Sequence, residues 1–285
     1  MTKTQPSPRA AEREITFNLL KNLTLREIRA EYKRTALGRV WSLINPLAQI
    51  AVYSLVFGLI LRVAVAPGEN SGIEFFPAWI GVGVIAWGFI SGSISAGMGS
   101  LMSNAGLLTK VYFPRWVLVV STVLAKASTF ATELLVLLVI MLAIGGPAVL
   151  LYAPLLIPLL VLTCVFALGI ALLLSVASVY FRDLQHLWTI LAQVWMYASG
   201  VMFSVDIVRG AQQALEEENG LSLPLVTLFQ LNPAERFLSA YRDVLYDFTV
   251  PGIDVWLQLI AWSAISLIIG SLVFRRLARN IVEEI

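Results

Sequence analysis

Two ionisable side chains, Lys126 and Glu133, stand inside a long apolar stretch of the sequence. Their seven-residue spacing places both on one face of a helix, about 10 Å apart along its axis. Ionisable groups inside a membrane segment are candidates for binding or moving an ion. A proton relay would need more carboxylates than Glu133 provides. The competing interpretation is that Lys126 reaches toward the cytoplasmic surface while Glu133 faces a partner helix or water.

Other residues that could do chemistry are few. Cys164 and His186 are the single cysteine and the single histidine of the chain, which excludes an internal disulfide framework, a cysteine-rich zinc site and an H-E-x-x-H site. A G-x-x-x-x-G-K-[ST] phosphate-binding loop is absent from the sequence. We therefore expect no catalytic residue, no metal ligand and no cofactor-binding residue in this chain.

Aromatic side chains recur on two apolar segments. Such rings can stack on sugar rings along a pathway, although packing and interface anchoring are the commoner roles. The residues concerned are Tyr53, Phe57, Trp188, Trp195, Tyr197 and Phe203.

The elements that position these residues follow from composition. The 285 residues are 58% hydrophobic and 13% charged, where soluble domains carry about 25% charged residues. This composition excludes a soluble enzyme and a disordered chain, and indicates a polytopic, all-α membrane protein. Five uncharged runs, and one apolar stretch that contains only the charges Lys126 and Glu133, predict six transmembrane helices: about 41–61, 75–98, 116–144, 153–179, 184–205 and 255–274.

The basic residues predict the orientation. With a cytoplasmic N-terminus, 15 of the 20 Lys and Arg residues fall in cytoplasmic segments and four in outer segments, with Lys126 inside a span. This is the asymmetry of the positive-inside rule. Both termini are then cytoplasmic, residues 1–40 form a cytoplasmic tail with an amphipathic helix, and residues 41–285 form the transmembrane domain.

Two cytoplasmic segments are more than connections. Residues 12–38 combine an apolar stripe with basic residues, which is typical of an interfacial helix, and Thr24 and Glu27 have the spacing of a helix restart. A basic segment that only attracts anionic lipids is the alternative. The loop 104–116 mixes aliphatic and aromatic residues with two bases, so it either dips into the membrane interface or fits a groove of a partner protein.

The outer region 206–254 contains two predicted elements. Residues 220–231 are apolar but too short to cross a membrane, which predicts a re-entrant or interfacial element. Asn232-Pro233 is a strong helix start. The pattern that follows predicts an amphipathic helix at the outer membrane surface.

Several motifs are those of a known family. They are Arg26 to Pro46 with its Leu-Gly-x-x-Trp, Val111 to Arg115, Tyr180 to Asp183, Leu231-Asn232-Pro233 and Tyr241-Arg242-Asp243. Through them, over nearly its whole length, the chain resembles the membrane subunit of type 2 ABC exporters, in the branch for polysaccharides, O-antigens and teichoic acids. The family has Ser-Pro where this chain has Ser199-Gly200.

The resemblance implies a bacterial plasma-membrane permease that works as a homodimer. Two separate ATPase subunits would bind ATP and Mg, the substrate would be a glycan on a polyprenyl diphosphate, and no nucleic-acid partner is expected. The loop 104–116 would couple to the ATPase through Leu108, Lys110, Tyr112, Phe113 and Arg115. Beside it would lie an interface helix with Arg26, Arg29, Tyr32, Lys33 and Arg34. Spans one and five, with the six aromatic residues named above, would line the pathway, and Asn232, Pro233, Tyr241 and Arg242 would belong to outer re-entrant helices that close the exit.

Alternatives remain open at this point. A small-molecule or drug permease of the same transporter type is one. An ion-coupled secondary carrier is another, although it would call for paired intramembrane carboxylates or two related halves.

Overall fold

The computed structural model describes residues 8–31, 33, 38–63, 65–111, 113–219, 223–278 and 281, and within these ranges the chain forms helices and no strand. In chain order the helices are α1 Pro8–Glu31, α2 Trp41–Tyr53, α3 Phe76–Ser103, α4 Ala105–Leu108, α5 Trp116–Gly145, α6 Val149–Tyr152, α7 Leu156–Tyr180, α8 Leu184–Ala198, α9 Val205–Asn219, α10 Leu225–Leu231, α11 Pro233–Arg242 and α12 Ile253–Leu277. A π-helix continues α2 over Ser54–Ile60, and another continues α11 over Asp243–Asp247. A short 3₁₀ turn precedes each of α2 and α7.

Five predicted spans are confirmed as helices long and apolar enough to cross a membrane. Among the described residues these are Trp41–Ile60, Phe76–Ser103, Trp116–Gly145, Val149–Tyr180 and Ile253–Leu277. The remaining predicted span, 184–205, is shorter than expected because α8 ends at Ala198. Its 15 residues extend about 22 Å, short of the roughly 30 Å hydrocarbon core. Gly200, at φ +64°, turns the chain where the resemblance led us to expect a proline kink.

Two clusters of buried apolar side chains hold the bundle together. The larger is built mainly around α3 and includes residues of α5, α7 and α11. Within the apolar segment of α3, 72% of the residues are buried. The smaller, the base cluster, joins Leu23 of α1 to Leu101, Leu108, Val117 and Phe274. α3 is therefore the central helix, and the base cluster ties the N-terminal helix to the ends of the spans.

The helices α7 and α12 meet backbone to backbone at two glycines. A Cβ atom built on Gly270 would lie against the carbonyl oxygen of Gly169, and one built on Gly169 would lie against the backbone at Ser266. Small residues allow this approach, which maximises van der Waals contact between membrane helices.

We expect Gly270→Ala to lower the free energy of unfolding by about 2 kcal/mol or more, because the obstacle is backbone that cannot rotate away. Thermal unfolding of the purified protein in detergent measures the effect. Gly88→Ala is the matched control, since a Cβ atom at Gly88 would meet nothing within 4 Å. Equal midpoints for the two variants would contradict the importance of this contact.

The N-terminal helix differs from the prediction in one respect. α1 is continuous from Pro8 to Glu31, and the Thr24 hydroxyl donates to the carbonyl of Leu20 one turn earlier, at 2.8 Å. The predicted restart at Thr24 is therefore wrong, because its hydroxyl bonds within the helix instead of capping a new one. α1 packs along α5.

The helix after Asn232-Pro233 is not an amphipathic surface helix. Its start is confirmed, since the Asn232 side chain accepts a hydrogen bond from the backbone N–H of Ala234. However, Glu235, Arg236 and Arg242 are buried along with its apolar residues. α11 contacts α3, α7 and α12, so packing on several sides removes the exposed polar face that the sequence pattern predicted.

Candidate functional site

The loop 104–116 presents fewer apolar side chains than its sequence indicates. Leu108 is buried in the base cluster, and Leu107 and Phe113 pack against the same cluster. Lys110 and Val111 are exposed, and Arg115 is half-buried. Tyr112 lies outside the described residues. Leu108 therefore anchors the loop to its own chain, while Lys110 and Val111 are part of the surface that it presents.

α1 contacts the beginning of this loop. The Arg26 guanidinium donates to the side-chain oxygen of Asn104 at 2.5 Å and to Glu27 at 2.7 Å. Arg29 and Lys33 are exposed, whereas Tyr32 and Arg34 lie outside the described residues. Asn104, which the sequence analysis did not single out, thus links the predicted interface helix to the predicted coupling loop.

A polar cavity of about 420 Å³ lies between α1 and the first three spans. Lys126 and Glu133 both line it, as their spacing predicts, and so does Glu31. The Lys126 ammonium donates to one oxygen of Glu31 at 2.5 Å, and the Thr129 hydroxyl donates to the other at 3.3 Å. Lys126 is thus paired with α1, a partner that the sequence did not reveal.

Gly88 and Gly92 in α3 line the same cavity. Their GxxxG spacing suggests close helix packing, but a Cβ atom at either position would meet nothing within 4 Å. These two glycines leave space for the cavity, and close helix contact occurs at Gly169 and Gly270 instead.

The two tryptophans of α8 point into the bundle. The indole N–H of Trp188 donates to the Ser95 hydroxyl, and that of Trp195 donates to Asn232, both at 2.8 Å. Trp195 also packs edge-on against Trp87, with ring centroids 5.6 Å apart. Among the other predicted pathway aromatics, Tyr53 and Phe57 form a half-buried edge-on pair on α2, and Phe203 stacks on Phe229.

The opposite side of α8 carries a stripe of hydrogen-bonding side chains. Gln185, Thr189, Gln193 and Tyr197 recur every four residues and all four are exposed. Residues at this spacing share one helix face. Of this group only Tyr197 was predicted as a pathway residue, on account of its aromatic ring; the signal that identifies the other three is the recurrence of polar residues every four positions. We call these four residues the polar stripe.

Asn232 joins the end of α8 to the start of α11. Besides capping α11 and accepting from Trp195, its side-chain amide donates to the carbonyl of Ala198 and to the Ser199 hydroxyl, both at 3.0 Å. Pro233 occupies the first position of α11. The Tyr241 hydroxyl lies 3.0 Å from that of Thr163 in α7. Asn232 and Tyr241, both predicted outer-gate residues, thus fasten α11 to two different helices.

Arg242 is the most constrained charged side chain of this region. Its guanidinium donates to the carbonyls of Gly200 at 2.9 Å and Val201 at 3.0 Å and lies 3.5 Å from the centroid of the Trp79 ring. These contacts combine charge-assisted hydrogen bonds with a cation–π interaction. Arg242 therefore holds the turn after α8 against the outer end of α3.

Buried carboxyl groups accompany Arg242, and sequence reasoning missed their burial. Burial raises the pKa of Glu235 to about 7. Burial, with the neighbouring charge of Asp247, raises the pKa of Asp243 to about 7 as well. Removal from water disfavours the charged form of each group. Near neutral pH, part of the negative charge around Arg242 is therefore neutralised by protonation.

Over the described residues, an all-helical body with several membrane-length apolar helices defines a multi-pass integral membrane protein. Residues 18–219 match the model of the ABC-2 type transporter family. The chain belongs to this family, and it is a transport subunit of it.

The chain is similar to proteins named O-antigen export system permease protein RfbA. The relative from Myxococcus xanthus is 30% identical over 268 residues, which cover 94% of this chain and 95% of the relative. A relative from Klebsiella pneumoniae is 25% identical over 193 residues, 67% of this chain and 71% of that protein. The similarity to the first relative thus extends over the N-terminal helix, the spans and the outer region.

Proposed function

We propose that this chain is the permease subunit of an ATP-driven exporter that moves an O-antigen-type polysaccharide, carried on a polyprenyl diphosphate, across the bacterial plasma membrane. The observation that carries the proposal is the likeness, over 94% of the chain, to an O-antigen export permease. A small-molecule permease has no comparable support. An ion-coupled carrier is less well supported too, because Lys126 is already paired with Glu31.

The polar stripe of α8 supports a hydrated pathway. Three of its four side chains are glutamine or threonine, which are costly to expose to hydrocarbon but interact well with water and sugar hydroxyls. The stripe carries no formal charge, which suits a substrate whose bulk is neutral sugar. α8 then serves as the fifth membrane segment in chain order and reaches only part of the way across, with the polar stripe facing the glycan and Trp188 and Trp195 holding the helix in place.

A second copy of the chain completes the pathway. No residue in the range 41–60 is buried within the protomer, and α8 exposes Leu187, Ile190, Leu191 and Val194 beside the stripe. Apolar faces of this extent must be covered by lipid or protein. In a homodimer, α2 and α8 of both protomers enclose the channel, and α10 with α11 closes its outer end.

The energy comes from two ATPase subunits, which bind ATP and Mg on the cytoplasmic side. Residues 1–40 and the loop 104–116 form the docking face there, and residues 41–285 form the transmembrane domain. We assign Lys110 and Val111 as contact residues of the loop, because both are exposed close to the buried anchor Leu108. Arg26 holds the loop by its bond to Asn104.

The test is a deletion strain with three complementing genes. We expect deletion to remove glycan from the cell surface and to cause lipid-linked glycan to accumulate inside, as measured by gel and mass spectrometry. The wild-type gene should restore export, and the double variant Lys110→Glu/Val111→Asp should lose it together with co-purification of the ATPase, since an exposed patch changes without loss of a core residue. Gln213→Glu/Ala214→Asp, two exposed positions of α9 outside the membrane-length helices, serves as a control that should retain the ATPase.

Full surface glycan in the deletion strain would refute the export function. Normal ATPase binding by the double variant would refute the docking assignment alone.

A further inference from the structure

The loop between α2 and α3 is bonded to the end of the outer helix α11, although the two segments lie 178 residues apart in the chain. The backbone N–H of Asn70 donates to the carbonyl of Asp247 at 2.9 Å. The side-chain amide of Asn70 donates to the carbonyl of Phe248 at 3.0 Å. Residues 65–74 thus rest on the π-helix that continues α11, and we call this contact the outer latch.

Tyr246 makes the largest number of bonds in the outer latch. Its backbone carbonyl accepts from the Ser71 hydroxyl at 2.5 Å, and its own hydroxyl donates to the carbonyl of Ile73 at 2.6 Å. A Cβ atom built on Gly68 would lie 2.6 Å from the same Tyr246 carbonyl oxygen, so the loop lies directly against the backbone of the π-helix. The outer latch is therefore a close-packed interface.

Carboxyl groups of both segments meet at the outer latch. Asp243 and Asp247 begin and end the π-helix, and both border a cavity of about 200 Å³ on the outer side. The backbone N–H of Glu69 donates to a carboxyl oxygen of Asp247 at 3.3 Å, and the Glu69 carboxylate acts on both aspartates. The cavity has room for several water molecules, each with a share of about 30 Å³ in the liquid, so protons have a route to this cluster.

The cations near this cluster are too few to balance it. Within the described part of the chain, Arg236 and Arg242 are the cations that act on Asp243, and both also act on the buried Glu235. Nε of Arg236 donates to the carbonyl of Gln230 at 2.8 Å, and Arg242 donates to the turn after α8. Four carboxyl groups thus share two cations, and full ionisation leaves an excess of negative charge.

The helices packed around the outer latch add no compensating cation. α3, α6, α7 and α10 contain no Asp, Glu, Lys or Arg, and α5 reaches this region at Gly145, beyond its two charged residues. The other charged groups of the adjoining segments are acids, Glu74 at the end of the loop and Asp254 in the first turn of α12. Arg62, at the beginning of the loop, is exposed.

Burial and mutual repulsion favour the protonated form of this cluster. Burial, with the negative charge of Asp247, raises the pKa of Asp243 to about 7. Burial raises the pKa of Asp247 as well. Because these pKa values are raised in the latched state, protonation stabilises that state. The stabilisation is complete below about pH 4, the ordinary pKa of an aspartate, and it is lost as the pH rises through about 7.

We propose that the outer latch is controlled by protons: it holds the α2–α3 loop on α11 while Asp243 or Asp247 is protonated, and it opens when both are charged. α2 and the π-helix that continues it bury no side chain within the protomer, so release of the loop leaves the outer end of α2 without its attachment to α11. The outer surface loosens in alkaline conditions and tightens in acidic ones, whatever substrate the chain transports.

Hydrogen–deuterium exchange of the full-length permease in lipid nanodiscs tests the proposal. The backbone amides of residues 68–74 are followed by mass spectrometry at about pH 5.5, 7 and 8.5, and each rate is divided by the intrinsic rate at that pH. Between the first and last of these, we expect protection to fall about tenfold or more, because the Asn70 amide loses its acceptor on Asp247. Protection of α3, which has no ionisable residue, should stay constant.

The double variant Asp243→Asn/Asp247→Asn removes both charges and keeps the side-chain size, so its protection should stay high under alkaline conditions. Asp206→Asn is the matched control, since Asp206 is an exposed carboxylate paired with Arg209 on α9, and it should show the wild-type fall. If the double variant does not fold, Glu69→Gln, at an exposed position of the loop, takes its place and should reduce the fall.

Constant protection of the wild-type loop over this pH range would overturn the proposal. So would a fall as steep as that of the wild type in the double variant, or in Glu69→Gln where that variant takes its place. Surface glycan in the deletion strain tests the export function separately, and its outcome does not bear on the outer latch.

Discussion

Replacing Arg242 with methionine is expected to lower the free energy of unfolding by about 3–5 kcal/mol, the usual effect of removing one member of a buried charge group. The variant loses two hydrogen bonds to the carbonyls of Gly200 and Val201 and the contact with Trp79. It also removes one of the two cations, Arg236 and Arg242, that lie near Glu235 and Asp243. Thermal unfolding in detergent measures the loss, and surface glycan measures its effect on export.

Arg209→Met is the matched control for this prediction. Arg209 pairs with Asp206 on the same helix, but its side chain is 53% exposed, so we expect a change within about 1 kcal/mol. Arg242→Lys should fall between the two, since it keeps the charge without the planar pair of donors. Similar midpoints for Arg242→Met and Arg209→Met would show that the buried arginine does not stabilise the outer region.

Reversing the charge of Lys126 is expected to abolish most export. Lys126→Glu places a third carboxylate beside Glu31 and Glu133 at the polar cavity and breaks the 2.5 Å ion pair with α1. We expect the free energy of unfolding to fall by about 2 kcal/mol, between the values for exposed and buried pairs. The larger effect should be on export, because α1 loses its polar attachment to α5. Surface glycan and the unfolding midpoint are measured together.

The double variant Glu31→Lys/Lys126→Glu tests the cause directly. It exchanges the two charges, and export should recover substantially if the pair itself matters. Arg13→Glu controls for a general effect of charge on α1, since Arg13 is exposed on the same helix, and it should export normally. Failure of the double variant alongside full stability would indicate that Lys126 acts through a contact other than Glu31.

The span positions were predictable because charge is costly in hydrocarbon. The ends of the uncharged runs that begin near Trp41 and Val255 coincide with helix boundaries to within a few residues. The start of α11 was also predictable, since the Asn232 cap and Pro233 at the first helical position determine a helix start through contacts close in sequence. The end of α8 was not predictable, because the uncharged run continues past Ser199 and gives no indication of the turn at Gly200.

Partners distant in sequence were beyond the reach of pattern analysis. Glu31 and Lys126 are 95 residues apart, and Trp195 and Asn232 are 37 apart, so no periodicity within one helix connects them. The same limit explains the error at α11. An alternation of polar and apolar residues predicts one exposed face, but here several helices cover α11, and Arg242 bonds to a group remote in sequence, the carbonyl of Gly200.

The backbone contact between Gly169 and Gly270 distinguishes a tightly packed pair of helices, α7 and α12, from the more loosely packed helices of the protomer. Separating α7 from α12 would break a close backbone contact along the two spans, so these helices form one rigid unit. α2 has no buried side chain and meets mainly α3, while α8 touches α3 and α7 only lightly. Displacing α2 or α8 therefore disrupts little of the protomer's interior. The helices α2 and α8 can therefore shift relative to the pair α7 and α12, and to α11 packed against that pair, with little loss of contact within the protomer.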